Sequence, residues 1–129
     1  LHAQRNAAPA GQISLLHCIA AYPVPLEDLN LAVIAQEHLD GFSDHSGNRL
    51  TGALAVAAGV GQTRILEVHF RLLETHPENP DFPHALGPWE LEEYVHLARL
   101  AEAALGDGVK RPMPSELPLL AHMVRPNHV

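Results

Sequence analysis

Short apolar runs alternate along the chain with stretches whose apolar residues recur every three or four positions. The run ISLLHCIAAY has no helical start signal, which is typical of a strand buried on both faces of a parallel sheet. The stretch LEDLNLAVIAQEHL instead places its apolar residues on one face of a helix. The pattern predicts strands at 13–22, 41–45 and 64–70, and helices at 27–39, 48–59 and 88–105.

Glycine and proline mark where these elements begin, end and pack. Pro88 suits the first turn of the last helix and Gly106 suits its end. Gly52 would let its helix approach the sheet closely. An irregular Pro-rich loop is predicted at 75–87. The segment 107–129 contains four prolines and is predicted to be a linker or extended tail toward a missing C-terminal domain, leaving 1–106 as the folded unit.

Alternation of strands and helices indicates the α/β class, built from right-handed parallel crossover units. Three such units form an open sheet of only three strands. A complete (β/α)8 TIM barrel needs about 250 residues, and the 129 residues here could hold roughly half of one. The pattern therefore leaves two architectures open, a partial barrel and a small three-layer α/β domain.

Composition narrows the possible partners. Fifteen acidic residues against eight Lys and Arg give a formal net charge of -7, which is the wrong sign for binding a phosphate backbone. No apolar run approaches the roughly 20 residues that cross a bilayer, and no signal peptide is recognisable, so a cytoplasmic protein is expected. Cys18 is the only cysteine and cannot form an internal disulfide. A first residue that is not Met suggests a fragment.

The alternation of side chains along a strand predicts that polar, potentially reactive residues share one face at the ends of two strands. Ser43 and His45 share one face of the second strand, and Glu67 and His69 share one face of the third. Active sites of parallel α/β folds gather at the carboxyl ends of strands. Two imidazoles meeting there suit a divalent transition ion such as Mn or Zn. The ordinary alternative is a pair of structural histidines, with the carboxylate serving as the partner of an arginine or as a helix cap.

Several motifs then follow one another in a recognisable order. They are LLHCIAAYPVPLEDLNL (15–31), GFSDHSG (41–47), LEVHF (66–70), PENPDFPHALGPWEL (77–91) and the tail segment KRPMPSE. The series resembles the sialic acid synthase (N-acetylneuraminate synthase) family over nearly the whole chain. The resemblance corresponds to the last three βα units of that family's (β/α)8 barrel, in the C-terminal part of the barrel domain.

The resemblance implies a transferase that condenses phosphoenolpyruvate with an N-acyl amino sugar such as N-acetylmannosamine, forming a carbon–carbon bond. It implies a divalent metal, with Mn favoured over Mg or Zn, held by His45 and His69. Ser43 would hold phosphoenolpyruvate, and Tyr22 and Asp81 would contact the sugar. Glu67, beside a metal ligand, is the candidate catalytic residue for proton handling.

Departures from the family pattern favour a second hypothesis. Ala20 stands where relatives carry Asn or Ser, Val24 and Arg71 each replace a Thr, and only one lysine is present to offset a trianionic substrate. The isolated chain is therefore expected to be inactive, and a homo-oligomer or the missing barrel half is its expected partner. The alternative is a degenerate fragment that acts as a binding or oligomerisation module. His84, in the Pro-rich loop, could touch substrate but is expected simply to face solvent.

Overall fold

The computed structural model describes residues 13–123, and within them strands and helices alternate as the hydrophobic pattern predicts. Three parallel strands form one sheet in the order β1, β2, β3. The strands are β1 (Leu16–Cys18), β2 (Gly41–Asp44) and β3 (Ile65–Val68). The helices are α1 (Val33–Gln36), α2 (Thr51–Ala58), α3 (Pro88–Leu105) and α4 (Leu117–Met123), and single 3-10 turns span Leu26–Asp28 and Pro114–Glu116.

The register of the sheet aligns one row of side chains across all three strands. Cys18 pairs with Ser43, and Ser43 pairs with Glu67. Because side chains alternate along a strand, this row lies on the face opposite Phe42, which is buried against the helices. We call the face that carries the row the open face, since Cys18 and Glu67 are exposed there.

The continuous helix predicted over 27–39 is wrong. Asn30 has a φ of 45°, in the left-handed region that interrupts a right-handed helix and that Asn adopts more readily than most residues. The 3-10 turn Leu26–Asp28 and helix α1 are therefore separate, and His38, with a φ of 51°, follows the end of α1. The core still receives apolar side chains from this region, because Leu29, just after the 3-10 turn, and Ile34, in α1, are both buried in it.

A hydrophobic core lies between the sheet and these helices. Phe42, Ile34 and Ala55 are completely buried at its centre. Full burial of a side chain the size of Phe42 stabilises a fold by about 1.5–3 kcal/mol. The core thus fixes β2, the strand that carries Ser43 and ends next to His45.

Helix α3 begins and ends where the sequence predicts. Its entry is capped because the Gly87 N–H donates to the Glu90 carboxylate at 2.6 Å, and Pro88 occupies the first turn. The close approach predicted for Gly52 is real, but its partner is different. A Cβ at position 52 would overlap the Tyr94 ring, so the contact that requires this glycine is the one between α2 and α3, and not the one between α2 and the sheet.

The segment predicted as an extended tail contains the short helix α4. In this helix Leu117 is 54% exposed and Leu119 is 64% exposed. The division of the chain at 106 stays a prediction. Within residues 13–123, no helix combines the length and apolar character that crossing a bilayer requires.

Candidate metal and substrate site

The carboxyl ends of β2 and β3 bring His45 and His69 together, as the alternation of side chains predicts. Their ring centroids are 5.2 Å apart and their planes meet at 74°. His45 is buried at 6% exposure, whereas the His69 side chain is 30% exposed. The two imidazoles therefore face one small volume that opens on one side to solvent.

The hydrogen bonds of His45 fix which nitrogen can act as a ligand. Its Nδ1 lies 3.0 Å from the Ile19 carbonyl oxygen. A carbonyl oxygen only accepts, so Nδ1 carries the proton and Nε2 keeps its lone pair. The Ser43 hydroxyl is 3.4 Å from that Nε2. Orientation of an imidazole by a backbone carbonyl in this way is the usual support of a metal-binding histidine.

Asp44 anchors the same turn from the helix side of the sheet. Its carboxylate accepts the Ser46 N–H at 2.8 Å, the Thr51 hydroxyl, and the Tyr94 hydroxyl at 3.2 Å. Burial, followed by the charge and hydrogen bond of Asp44, raises the pKa of Tyr94 well above its usual value, so this phenol stays protonated. The bonds hold the end of β2 and thereby present His45 to the other face.

Tyr22 covers the buried histidine. Its ring stacks on His45 with centroids 4.2 Å apart and meets His69 edge-on at 5.8 Å. The Val24 N–H donates to the His45 carbonyl at 3.1 Å, which ties the segment after Tyr22 to the end of β2. Tyr22 is itself 55% exposed, so it forms a wall at the mouth of the site. Its predicted contact with sugar stays a prediction.

Asp81 and His84 join the site from the Pro-rich loop. The Asp81 carboxylate lies 3.7 Å from His69 Nδ1 and 3.6 Å from His84 Nε2. The expectation that His84 faces solvent is wrong, because it is 3% exposed and its ring centroid is 4.5 Å from that of His69. Neither ring nitrogen of His84 has a hydrogen-bond partner among the described residues. Burial, and secondarily the neighbouring His69, lowers the pKa of His84, opposed by Asp81.

Two local features bring this loop over the histidines. Leu86 pairs in parallel with Phe70, and its N–H donates to the His69 carbonyl at 2.8 Å. Gly47 lies so close beneath the loop that a Cβ there would stand 2.9 Å from the His84 Cα, and its φ of 65° also favours glycine. The predicted irregular loop therefore ends in one paired residue that fixes the position of His84.

Glu67 lies on the open face, two residues before His69 and in register with Ser43. It is exposed, and within residues 13–123 its carboxylate forms no hydrogen bond or ion pair. Its role in proton handling stays a prediction.

The donors present suit a divalent transition ion. Ligand atoms of His69, Asp81 and His84 all lie within 4.8 Å of one another, and two imidazoles with a carboxylate are ordinary ligands of Mn or Zn. The predicted pair of His45 and His69 shares one member with this set. The sequence signal for His84 was an acidic residue three positions earlier, which is too common to identify a buried ligand.

Comparison with known proteins supports the same family. N-acetylneuraminate-9-phosphate synthase of Homo sapiens is 39% identical over 106 residues, covering 79% of this chain and 29% of that protein. N,N'-diacetyllegionaminic acid synthase of Legionella pneumophila is 36% identical over 113 residues, covering 83% of this chain and 30% of that protein. The chain thus spans about a third of the length of the curated relatives it matches.

A solved structure supports the same family and distinguishes between the two architectures that the sequence left open. The N-acetylneuraminic acid (sialic acid) synthetase of Leptospira borgpetersenii, crystallised with citrate, superposes with a TM-score of 0.69 at 29% identity, covering 83% of this chain and 38% of that one. This confirms a partial (β/α)8 barrel over a small three-layer domain. The NeuB family profile matches residues 3–110, and the chain therefore belongs to the NeuB family.

Proposed function

We propose that this chain supplies part of the active site of a nonulosonic acid synthase, which condenses phosphoenolpyruvate with an N-acyl amino sugar. The observation that carries the proposal is the meeting of His45 and His69 at the ends of adjacent strands, 5.2 Å apart between ring centroids. The names of the related synthases supply the reaction class. The chain's share of their length leaves the rest of the barrel to provide the remaining groups.

Under this proposal His45 and His69 hold a divalent ion, with Mn as the first choice. Such an ion, when bound, polarises the aldehyde of the sugar and makes its carbon a better target for the enol carbon of phosphoenolpyruvate. The protonated Nδ1 of His45, bonded to Ile19, directs Nε2 into the site. Because Tyr22 stacks on that ring, it limits the access of water from one side.

Ser43 and Tyr22 serve the two substrates. The Ser43 hydroxyl, buried beside His45 Nε2, would donate to a carboxylate or phosphate oxygen of phosphoenolpyruvate. Tyr22, at the exposed mouth, and Asp81, at 61% side-chain exposure, would contact hydroxyl or amide groups of the sugar. Glu67, in register with Ser43 on the open face, would move a proton when water adds.

Positive charge for the trianionic substrate must come mainly from elsewhere in the barrel. Arg71, which follows β3, donates to Glu90 at 2.7 Å and to the Ala85 carbonyl at 3.0 Å. Its guanidinium also lies 4.5 Å from the centroid of the Phe82 ring. The Arg that replaces Thr at position 71 therefore stabilises the contact between the loop and helix α3.

The direct test measures Mn²⁺ binding and turnover in the chain joined to the preceding half of a NeuB-family barrel. Replacing both histidines (His45→Ala with His69→Ala) should weaken Mn²⁺ binding by more than about tenfold and stop phosphate release from phosphoenolpyruvate. His76→Ala is the matched control, because the His76 side chain is a loop histidine at 76% exposure. Unchanged Mn²⁺ affinity in the double variant would reject the assignment.

The second candidate is a binding or oligomerisation module without turnover. The two edge strands β1 and β3 favour it, since the unpaired backbone groups of an edge strand can pair with another chain. It predicts self-association of the chain in light scattering and no phosphate release from the joined protein. Sugar-dependent phosphate release would exclude it.

A further inference from the structure

His84 is a polar side chain whose situation neither the core nor the proposed reaction explains. It is 3% exposed, and neither of its ring nitrogens has a hydrogen-bond partner within residues 13–123. Burying an imidazole without satisfying its nitrogens is costly. Its Nε2 points toward Asp81, whose carboxylate also approaches His69.

The distances around Asp81 are too long for hydrogen bonds, and the ligand atoms of the three residues, all within 4.8 Å of one another, need only small side-chain movements to meet at one ion. The Oδ1 to His84 Nε2 distance is 3.6 Å and the Oδ2 to His69 Nδ1 distance is 3.7 Å. Hydrogen-bonded N and O atoms stand about 2.7–3.2 Å apart. Two donors on one tetrahedral zinc ion, each about 2.0–2.1 Å from it, stand about 3.3–3.4 Å apart.

We propose that His69, Asp81 and His84 form a three-donor site for a divalent transition ion, with His84 as a protein ligand additional to the predicted pair of histidines. The proposal deepens the proposed function, from which it takes the role of His69. Binding by these three residues needs no turnover and can be measured in the chain as it stands. We call these three residues the loop triad.

The proposal adds a second role for one residue. A carboxylate that ligates an ion through one oxygen keeps the other as an acceptor, so Asp81 holds the ion and remains able to accept a hydrogen bond from the sugar. The loop then closes on the ion itself, since Leu86 fixes its end to the His69 carbonyl.

The experiment titrates the 129-residue chain with Zn²⁺ by calorimetry and with Mn²⁺ by the loss of the free-ion signal in electron paramagnetic resonance. His84→Phe removes both nitrogens and keeps an aromatic ring in the buried space. Asp81→Asn keeps the shape and removes the charge. Each should weaken binding by at least about tenfold. His76→Ala, an exposed histidine of the same loop, should leave the affinity unchanged and controls for binding by the chain's other histidines.

Thermal unfolding without metal separates binding from folding. His84→Phe should unfold at the same temperature as the unsubstituted chain or higher, because it removes buried unpaired nitrogens. Unchanged affinity in both His84→Phe and Asp81→Asn would overturn the proposal. If only His45→Ala and His69→Ala then weaken binding, the proposed function survives and the loop triad fails. If His84→Phe and Asp81→Asn weaken binding while His45→Ala does not, the triad stands and the predicted pair fails.

Discussion

Asp44 shows how a single residue behind the sheet can orient a site in front of it. Its buried carboxylate accepts bonds from Ser46, Thr51 and Tyr94, which offset the cost of taking a charge out of water. Because adjacent side chains of a strand point to opposite faces, holding Asp44 on the helix side also places its neighbours Ser43 and His45 on the open face.

Tyr94→Phe tests this anchor. Removing a hydroxyl that donates to a buried carboxylate should lower the free energy of unfolding by about 1.5–3 kcal/mol, measured by urea denaturation. The matched control is Tyr22→Phe, because that ring is 55% exposed and its loss should cost little. Equal effects of the two substitutions would contradict the anchoring role of Asp44.

The same two variants test how the free energy of unfolding depends on pH. The pKa of Tyr94 is raised in the folded chain by burial and by Asp44. Above about pH 10 the unfolded phenol loses its proton while the folded one keeps it, so stability falls as pH rises, by up to about 1.4 kcal/mol per unit. Tyr94→Phe should remove this part of the alkaline loss, whereas Tyr22→Phe should retain it.

At the scale of elements, Arg71 joins the loop that carries His84 to helix α3. It donates to the Ala85 carbonyl and to Glu90, and Glu90 in turn accepts the Gly87 N–H that caps the helix. The Arg71 side chain is 21% exposed and that of Glu90 is 41% exposed, so water screens this ion pair less than it screens the Arg49–Glu93 pair on the surface. One side chain thus stabilises both the end of the loop and the start of the helix.

Arg71→Met should therefore destabilise the chain by about 1–3 kcal/mol and speed amide hydrogen exchange in 84–87. Arg49→Met is the matched control, since the Arg49–Glu93 pair is 55% and 47% exposed and should contribute no more than about 1 kcal/mol. Exchange at Leu86 that stays as slow as in the unsubstituted chain would show that Arg71 does not hold the loop.

Local sequence rules predicted the elements well where side-chain periodicity and end signals agree. The parity of Ser43 with His45 follows from strand geometry alone, and Pro88 and Gly106 bound α3 as expected. The break in the helix at Asn30 was not predicted, because the apolar period continues across it. The burial of His84 was not predicted, because it depends on two contacts between segments distant in the sequence. One is the close approach of Gly47 to the loop, and the other is the pairing of Leu86 with Phe70.

At the scale of the molecule, the sheet has an open face where a closed barrel would have a filled interior. Cys18 is exposed there, in register with Ser43. Additional strands that close the sheet would cover this row of side chains. The chain contains only one cysteine, so its thiol reports on that closure without interference.

Cys18 should react readily with iodoacetamide in the 129-residue chain and at least about tenfold more slowly when the chain is joined to the first half of a NeuB-family barrel, because closure buries the thiol. Mass spectrometry measures both rates. Denaturing the joined protein in urea should restore the fast rate, which controls for chemical changes at the thiol. Equal rates in the two folded proteins would mean that the halves do not close over this face.

The bond from the Leu86 N–H to the His69 carbonyl links the loop mechanically to an imidazole of the site. A displacement of the loop should therefore shift the backbone of His69 and change the direction of its ring. An exchange of this loop between relatives must therefore carry residues 69–71 and 84–87 together, with a glycine at position 47 that leaves room for the loop.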